Sequence, residues 1–422
     1  MSETGDPLSV FLIAGEASGD RLGAALIRGL RRSAGRPLEL SGVGGAAMRA
    51  EGLQSLFDIE DIAVMGVAEV LPRLRTILSR IDQTAAKVVE ARPDIVVSID
   101  APDFGLRVAK KARAACARGG DRRPLFAHYV APSVWAWRPG RAKKYAARLD
   151  HLLALLPFEP PYFQAEGLSC DFVGHPIVEK SGTRDNRLQA AAAFRRELEI
   201  PAEAPLLALL PGSRRGEVAR LLPVFREAVE VLTTIRPDLA ERGLRLVLPL
   251  AENRAEEILA DPGEWPVTAH FLDPRGLPFE QAESRKFAAF AAADAALAAS
   301  GTVSLELAAM RSPMVVAYKV NPITAFLVRR LLKVDTATLV NLVTETRAVP
   351  EFIQEKCRPE DVASALSPLL PAPGEPSFER EAQLAAAEGT MRALGEGAAA
   401  PSERAAQSIL EAFARRSVMG SA

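Results

Sequence analysis

The feature that most constrains the fold is a series of short, entirely apolar runs separated by longer segments with helical patterning. A strand that alternates apolar and polar residues has one face in water, whereas a strand without alternation is covered on both faces, as in a parallel sheet flanked by helices. These runs include LSVFLIAG, PDIVVSID, PLFAHYV and HLLALLP, and later LLALLPG, LRLVLPL, DAALAAS and SPMVVAYKV. The sequence therefore predicts an α/β protein with doubly wound parallel sheets.

The apolar runs form two series, which predict two Rossmann-like domains. The chain has 422 residues, well above the roughly 150 residues of an ordinary domain. The first series covers residues 8–176, and after a polar, helical interval the second covers residues 205–371. Residues 372–422 are richer in Pro, Gly, Ala and Glu and predict a helical tail that packs back across the first domain. Because doubly wound sheets bind ligands outside the carboxyl ends of their strands, we expect an active-site cleft between two facing domains.

Composition excludes several functional classes. The 52 basic and 53 acidic residues nearly cancel, so no overall positive field draws the protein to nucleic acid. Cys116, Cys170 and Cys357 are odd in number and far apart, which indicates reduced cytosolic thiols. The N-terminus lacks the basic region of a signal peptide, and no apolar run reaches the roughly eighteen residues of a membrane span. We expect a cytoplasmic protein with at most peripheral membrane contact.

Two strand-turn-helix segments of the second series predict an anion site. In LALLPGSRRGEV, Gly212 and Ser213 follow a buried strand, so their backbone N–H groups would lie at a helix N-terminus, and Arg214 and Arg215 add guanidinium donors. By itself this segment is equally well explained as an ordinary turn followed by a solvated arginine pair.

The second segment, DAALAASGTVSLELAAM, repeats the pattern and favours the anion site. Ser300, Gly301 and Thr302 occupy its turn, and Glu306 follows one helical turn later. A carboxylate there accepts hydrogen bonds from ribose hydroxyls, or simply stabilises the first turn of the helix.

The first series carries a glycine-rich loop and an aspartate at strand ends. Glycines recur every fourth residue in GEASGDRLGAAL, which is not a dinucleotide fingerprint, and we interpret the loop as shaped for close approach of a sugar or acyl substrate. Ser18 contacts that substrate or, like Asp20, caps the helix. Asp100 ends the strand DIVVSI and is the candidate base that removes a proton from an attacking sugar hydroxyl. Asp103 is the alternative base, or a helix cap.

A third segment of the first series, HYVAPSVWAWRPGRAKK, combines aromatic rings with cations. Trp135, Trp137 and Arg138 suit a phosphorylated, acylated sugar, although buried packing anchors beside a solvated basic helix are the alternative. His128 and His175 are interpreted as structural. Because the four histidines are scattered and no D-x-D occurs, we expect no metal, and positive groups and helix ends would stabilise a leaving diphosphate.

These segments, taken together and in order, resemble the lipid-A-disaccharide synthase family. The resemblance extends from about Val10 to about Arg358 and rests on AGEASGD, AVMGVAEVLPRL, IDAPDF, HYVAPSVWAW, LPFE, FVGHP, LLPGSR, ASGTVSLE and MVVAYKV. The pair IDAPDF and PSVWAW is specific, whereas LLPGSR or FVGHP alone fits several UDP-sugar enzymes. A UDP-sugar epimerase, another GT-B transferase and a non-catalytic nucleotide-sugar module are therefore the competing hypotheses.

The resemblance implies a GT-B fold, with UDP on the second domain and the acceptor on the first. The implied reaction moves 2,3-diacylglucosamine from UDP to the 6-hydroxyl of 2,3-diacylglucosamine 1-phosphate (lipid X), with inversion to a β-1,6 bond. Asp100 matches the family's proposed base. Arg214, Ser300, Gly301, Thr302, Glu306 and Asn341 match its nucleotide side, Asn341 on the resemblance alone. The additional Arg215 leaves open which arginine contacts the diphosphate.

Acylated substrates imply contact with a bilayer. The stretches IAVMGVAEVLPRLRTIL and ITAFLVRRLLKV combine apolar residues with Arg or Lys, as interfacial segments that bind anionic lipids do. A core helix or a homodimer contact is the alternative. We expect peripheral binding at the cytoplasmic face of the inner membrane.

Overall fold

The computed structural model describes residues 6–63, 67–119, 123–137, 139–321 and 334–419. The chain divides into two compact units. Unit 1 comprises the described residues up to Pro176 together with those from Gly397 onward, and unit 2 comprises Ile177–Glu396. In the described part of the chain, no helix combines the length and the hydropathy of a bilayer span.

Unit 1 contains a parallel sheet whose described strands are β1 (Leu8–Ala14), β2 (Leu38–Val43), β3 (Gln54–Ser55), β4 (Ile95–Ile99), β5 (Leu125–Tyr129), β6 (His151–Ala154) and β7 (Ser169–Phe172). Their order across the sheet is β3-β2-β1-β4-β5-β6-β7. Every residue of β4 and β5 is buried, which explains why these runs do not alternate. The strand order reverses between β1 and β4, and such a switch point leaves a crevice at the carboxyl ends of the two strands.

The helices of this part of unit 1 cover both faces of its sheet. They are α1 (Ala17–Ser33), α2 (Ala46–Ala50), α3 (Val67–Ala91), α4 (Pro102–Gly119), α5 (Val134–Trp137), α6 (Ala142–Ala146) and α7 (Pro160–Gln164).

Unit 2 repeats the same plan. Its described strands are β8 (Leu206–Leu210), β9 (Arg245–Pro249), β10 (Ala269–Leu272), β11 (Ala295–Ala299), β12 (Met314–Tyr318) and β13 (Glu351–Ile353). They pair in parallel in the order β10-β9-β8-β11-β12-β13, so the switch point lies between β8 and β11. The prediction of two doubly wound parallel sheets is confirmed.

The described helices of unit 2 are α8 (Val178–Ser181), α9 (Arg184–Glu197), α10 (Arg215–Ile235), α11 (Pro237–Glu241), α12 (Glu252–Ala260), α13 (Phe279–Ala292), α14 (Val303–Ala309), α15 (Leu339–Thr344), α16 (Pro359–Leu366) and α17 (Phe378–Ala393).

The C-terminal segment, expected to be one tail, contributes one helix to each unit. Helix α17 belongs to unit 2, where Gln383 on this helix accepts a hydrogen bond from the backbone N of Met314 at 2.7 Å. The last helix, α18 (Pro401–Met419), belongs to unit 1 and packs on α1. A Cβ on Gly29 of α1 would lie 2.5 Å from the carbonyl oxygen of Ser402, so this close helix contact depends on glycine.

Candidate active site

The switch point of unit 1 carries Asp100 on a turn directly after β4. Asp100 and Ala101 have φ angles of 52° and 40°, in the left-handed region that non-glycine residues seldom adopt. The Asp100 backbone N–H donates to the carbonyl oxygen of Tyr129 at 2.9 Å, and the Ala101 N–H donates to Asp100 Oδ1 at 3.0 Å. Such strain persists only where surrounding contacts hold it, and it is concentrated at functional sites.

The glycine-rich loop after β1 packs against this turn. A Cβ on Gly15 would overlap the Cβ of Ala101, and a Cβ on Gly19 would lie 3.1 Å from the carbonyl oxygen of Ile99. The glycines therefore permit the loop to approach the Asp100 turn, whereas the sequence interpretation assigned them to the approach of a substrate.

Two side chains of this loop contact the Asp100 carboxylate. The Ser18 hydroxyl donates to Asp100 Oδ2 at 3.1 Å, so Ser18 is a partner of the candidate base and caps no helix. Burial first, and then the charge of Asp100 and a hydrogen bond to it, raise the pKa of Glu16 above its usual value. The two carboxyl groups thus form a pair in which Glu16 retains a proton more readily than a free glutamate. Sequence reasoning missed Glu16, although it lies within AGEASGD.

Asp20 and Asp103, the other acidic residues considered near this site, point elsewhere. Asp20 caps α2, because its carboxylate accepts from the backbone N–H groups of Gly45, Ala47 and Met48 at 2.7, 2.9 and 3.1 Å. Asp103 is exposed on the first turn of α4 and lies 3.7 Å from Arg141. Of the two candidate bases, Asp100 is therefore the one that lies at the strand end with a hydrogen bond from Ser18, whereas the Asp103 side chain is exposed.

A buried histidine lies behind the Asp100 turn. His128 on β5 pairs in register with Ser98 on β4, and its Nδ1 lies 2.8 Å from the Ser98 hydroxyl. Burial lowers the pKa of His128 to about 4, although the Asp100 charge opposes this shift. The imidazole is neutral at cellular pH, as a structural residue would be.

Trp135 is placed as a packing anchor, which the sequence allowed as the alternative to an acceptor-binding ring. Its ring is 8% exposed and packs edge-on against Phe158 at 5.1 Å. The indole Nε1–H donates to Glu159 Oε1 at 3.1 Å. The Trp137 side chain and all of Arg138 lie outside the described residues.

The buried carboxyl group that holds Trp135 has an unusual pKa. The second oxygen of Glu159 accepts from the Leu156 N–H at 3.1 Å. Burial raises the pKa of Glu159 to about 7, and its hydrogen bonds only partly oppose this shift.

Unit 2 contains a pocket of about 720 Å³ at the carboxyl ends of β8, β9, β10 and β11. Both turns predicted from the sequence border it, although they are almost ninety residues apart. The predicted residues that line the pocket are Gly212, Ser213, Arg214, Ser300, Gly301, Thr302 and Glu306. Neither Arg215 nor Asn341 is among the lining residues.

The two arginines of the first turn differ in position. Arg214 borders the pocket with a side chain 76% exposed, and its Nη1 donates to Glu217 Oε1 at 2.8 Å. Arg215 lies 3.6 Å from Glu257. Gly212 has φ of 110°, and a Cβ there would lie 2.8 Å from Glu217 Oε2. The turn thus depends on glycine and presents Arg214 to the pocket.

The second turn is supported by a buried hydrogen-bond network. The Ser300 hydroxyl donates to the carbonyl oxygen of Ala337 at 3.3 Å. Asn341 is fully buried, with its Nδ2 donating to the Val349 carbonyl at 2.9 Å and its Oδ1 accepting from the Val349 N–H at 3.1 Å. The Asn341 amide is thus enclosed and bonded at both ends to the backbone of Val349, so its predicted contact with the nucleotide stays a prediction from the family resemblance.

Glu306 is held from a neighbouring helix by Lys286, a residue that sequence reasoning missed. The Lys286 ammonium group lies 3.1 and 3.0 Å from the two Glu306 oxygens. Within the described ranges, no group of three His, Cys, Asp or Glu side chains is arranged to hold a metal ion.

Comparison with known proteins adds to this geometry. A family model described as lipid-A-disaccharide synthetase matches residues 10–391. A lipid-A-disaccharide synthase of Ruegeria pomeroyi is 49% identical over 404 residues, which cover 96% of this chain and 95% of that protein.

Two solved structures share the fold. UDP-GlcNAc 2-epimerase from Neisseria meningitidis bound to UDP-GlcNAc has a TM-score of 0.57 at 12% identity, covering 97% of this chain and all (100%) of that chain. MurG from Acinetobacter baumannii has a TM-score of 0.54 at 13% identity, covering 96% and 100%. At these identities the likeness shows the fold alone, and it confirms the predicted GT-B class.

Proposed function

This chain belongs to the lipid-A-disaccharide synthase family, and we propose how its residues carry out that family's reaction. The chain is a UDP-dependent hexosyltransferase of lipid A biosynthesis. It transfers 2,3-diacylglucosamine from UDP to the 6-hydroxyl of 2,3-diacylglucosamine 1-phosphate, with inversion at the anomeric carbon. The products are the β-1,6 disaccharide 1-phosphate and UDP, so its substrates are a sugar nucleotide and a lipid acceptor.

Asp100 is the general base in this proposal. As the acceptor 6-hydroxyl oxygen forms its bond to the anomeric carbon, the Asp100 carboxylate takes the hydroxyl proton. The observation that carries this assignment is the Asp100 turn at the switch point, where Ser18 donates a hydrogen bond to the carboxylate. Glu16 lies beside this carboxylate, and burial together with the charge of Asp100 raises the pKa of Glu16.

The pocket of unit 2 binds the nucleotide in this proposal. As the acceptor oxygen bonds to the anomeric carbon, the bond from that carbon to the diphosphate oxygen breaks and its electron pair leaves with UDP. Preorganised donors stabilise the resulting negative charge. Arg214 lines the pocket with most of its side chain exposed, so it is assigned to the diphosphate, with the backbone of Gly212 and Ser213. We propose that these groups suffice without a metal ion, and turnover in excess chelator tests this directly.

The acyl chains require a lipid-facing surface, which we assign to α3. Leu74 and Leu78 are each 40% exposed and one helical turn apart, with Arg73 and Arg75 exposed beside them. Apolar side chains flanked by arginines suit an anionic membrane surface at the cytoplasmic face. Residues 64–66 of the first predicted stretch and residues 323–333 of the second lie outside the described ranges. Flotation with anionic vesicles tests this surface, and sedimentation tests the alternative that the same face forms a homodimer.

The reaction is tested by mass spectrometry of the products formed from both purified acylated substrates. We expect a disaccharide phosphate and UDP only when both substrates are present. Isomerised UDP-sugar formed without the acceptor would instead identify an epimerase. Absence of any product, with UDP-sugar bound, would leave only a binding module.

A further inference from the structure

Lys286 is a cation that lines the unit 2 pocket. It lies on α13, and its ammonium group contacts both oxygens of Glu306 on α14, at 3.1 and 3.0 Å. Both residues line the pocket beside the Ser300 turn. The pair therefore joins two helices at the wall where a bound nucleotide would lie.

Lys286 is held in place by aromatic rings. Its ammonium group lies 5.1 Å from the ring centre of Phe287 and 6.0 Å from that of Phe290. The two rings are buried and pack edge to face at 6.0 Å. Cation-π contacts add to the ion pair, and the lysine and glutamate side chains are only 31% and 24% exposed. This pair is thus better fixed than a typical surface ion pair.

We propose that Lys286 is a positioning residue that orients Glu306 for the two hydroxyls of a ribose. This inference rests on the proposed nucleotide site. An ionised carboxylate has about four lone-pair positions, and one contact from Lys286 to each oxygen leaves each oxygen able to accept one further hydrogen bond. Two acceptors side by side match a vicinal diol. The pocket accordingly selects ribonucleoside diphosphates over analogues that lack the ribose hydroxyls.

The charge of Lys286 also permits Glu306 to lie near a diphosphate. A carboxylate without a counterion repels a bound diphosphate, and this repulsion is stronger in a partly buried pocket than in water. Lys286 offsets the charge of Glu306, so that Glu306 can bind the sugar of an anionic ligand.

The test measures binding of UDP and of 2′,3′-dideoxyuridine diphosphate by calorimetry, without acceptor, to the full chain. Wild-type protein should prefer UDP. Lys286→Met should weaken UDP binding about tenfold, as expected for loss of charge-assisted hydrogen bonds. It should weaken dideoxy-UDP binding by a smaller factor, because the uncompensated charge of Glu306 repels either diphosphate, so the preference for UDP should fall. Lys286→Arg should restore most of the preference, since a guanidinium also pairs with both carboxylate oxygens. Lys87→Met is the matched control, because it removes an exposed lysine paired with Glu90 in unit 1.

Glu306→Ala provides a second, independent measure. It should lose the same preference for UDP, and adding Lys286→Met to it should cause no further loss. Equal weakening of both nucleotides in Lys286→Met would overturn the proposal and indicate direct contact with phosphate. Unchanged preference in Glu306→Ala would overturn it even if Lys286→Met did not fold. A wild-type protein that binds neither nucleotide would instead refute the proposed nucleotide site.

Discussion

The two units place opposite chemistry at the same topological position. At the switch point of unit 1, Asp100 lies with Ser18 and Glu16, a cluster that accepts a proton. At the switch point of unit 2, glycine-containing turns meet the exposed guanidinium group of Arg214, which suits an anion. The shared fold fixes where a ligand binds, at the carboxyl ends of the strands where their order reverses. The loops that follow those strands decide what each position does.

The Asp100 turn and the turn at Gly212 are also held by different kinds of contact. In unit 1 the loop after β1 packs on the turn after β4, with Gly15 against Ala101. In unit 2 Gly212 packs on Glu217, which belongs to α10, the helix that follows the turn. The Asp100 turn therefore depends on a contact between segments far apart in the sequence. The turn at Gly212 is instead supported by a residue of the helix that directly follows it.

The largest difference between turnover, assigned to unit 1, and UDP affinity, assigned to unit 2, is expected for Asp100→Asn. The asparagine amide has nearly the shape of the aspartate carboxylate but cannot accept the proton. Turnover should therefore fall by about 10²–10⁴-fold, with UDP affinity unchanged. Steady-state kinetics and calorimetry measure the two quantities, and Asp103→Asn is the matched control. Turnover that depends on Asp103 instead would identify Asp103 as the base and break the assignment.

Unit 1 should also show a pH-dependent stability that arises from Glu159. A carboxyl whose pKa is raised on folding, from 4.5 to about 7, contributes stability that is complete below pH 4.5 and is lost as the pH rises through 7. The change amounts to about 3 kcal/mol.

Glu159→Gln should remove that pH dependence. The variant should be less stable than wild type at pH 5, because one buried hydrogen bond is lost, and closest to wild type above pH 8. Thermal melting across this range measures the difference. Parallel curves for the two proteins would show that Glu159 does not titrate in this window.

Substituting one glycine at each site should affect turnover and UDP binding separately. Gly15→Ala forces the loop after β1 away from Ala101 of the Asp100 turn, at a cost of about 1–3 kcal/mol for overpacking, and should lower turnover with UDP affinity retained. Gly212→Ala requires a strained φ and displaces Glu217, and should weaken UDP binding. If both variants lost both turnover and UDP binding, the assignment of these functions to separate units would be wrong.

The smallest effect is expected for Arg214→Ala. Its side chain is 76% exposed, so water screens its contribution, and UDP affinity should fall by about tenfold. Arg215→Ala is the matched control. Its affinity for UDP should change little, because Arg215 does not line the pocket. The reverse ranking of the two arginines in calorimetry would reassign the diphosphate contact.

Several parts of this description were predictable from short stretches of sequence. Apolar runs without alternation indicated strands buried on both faces, and Asp100 and both turns of unit 2 were placed correctly at strand ends. Each inference depends on neighbours within about ten residues, where backbone periodicity and turn chemistry dominate. Other residues required distant partners: Glu16 with Asp100, Lys286 with Glu306, and Trp135 with Glu159.

The sequence by itself determined two parallel α/β sheets, the strand ends that carry polar turns, and the family resemblance. The tertiary structure decided which of those polar residues meet a pocket and which are enclosed. Asn341 and Trp135 read as ligand contacts in sequence, but both are buried with their polar atoms bonded to protein groups. The physical reason is that periodicity records the environment of a segment, whereas the hydrogen-bond partner of a polar side chain is set by packing between segments far apart in the chain.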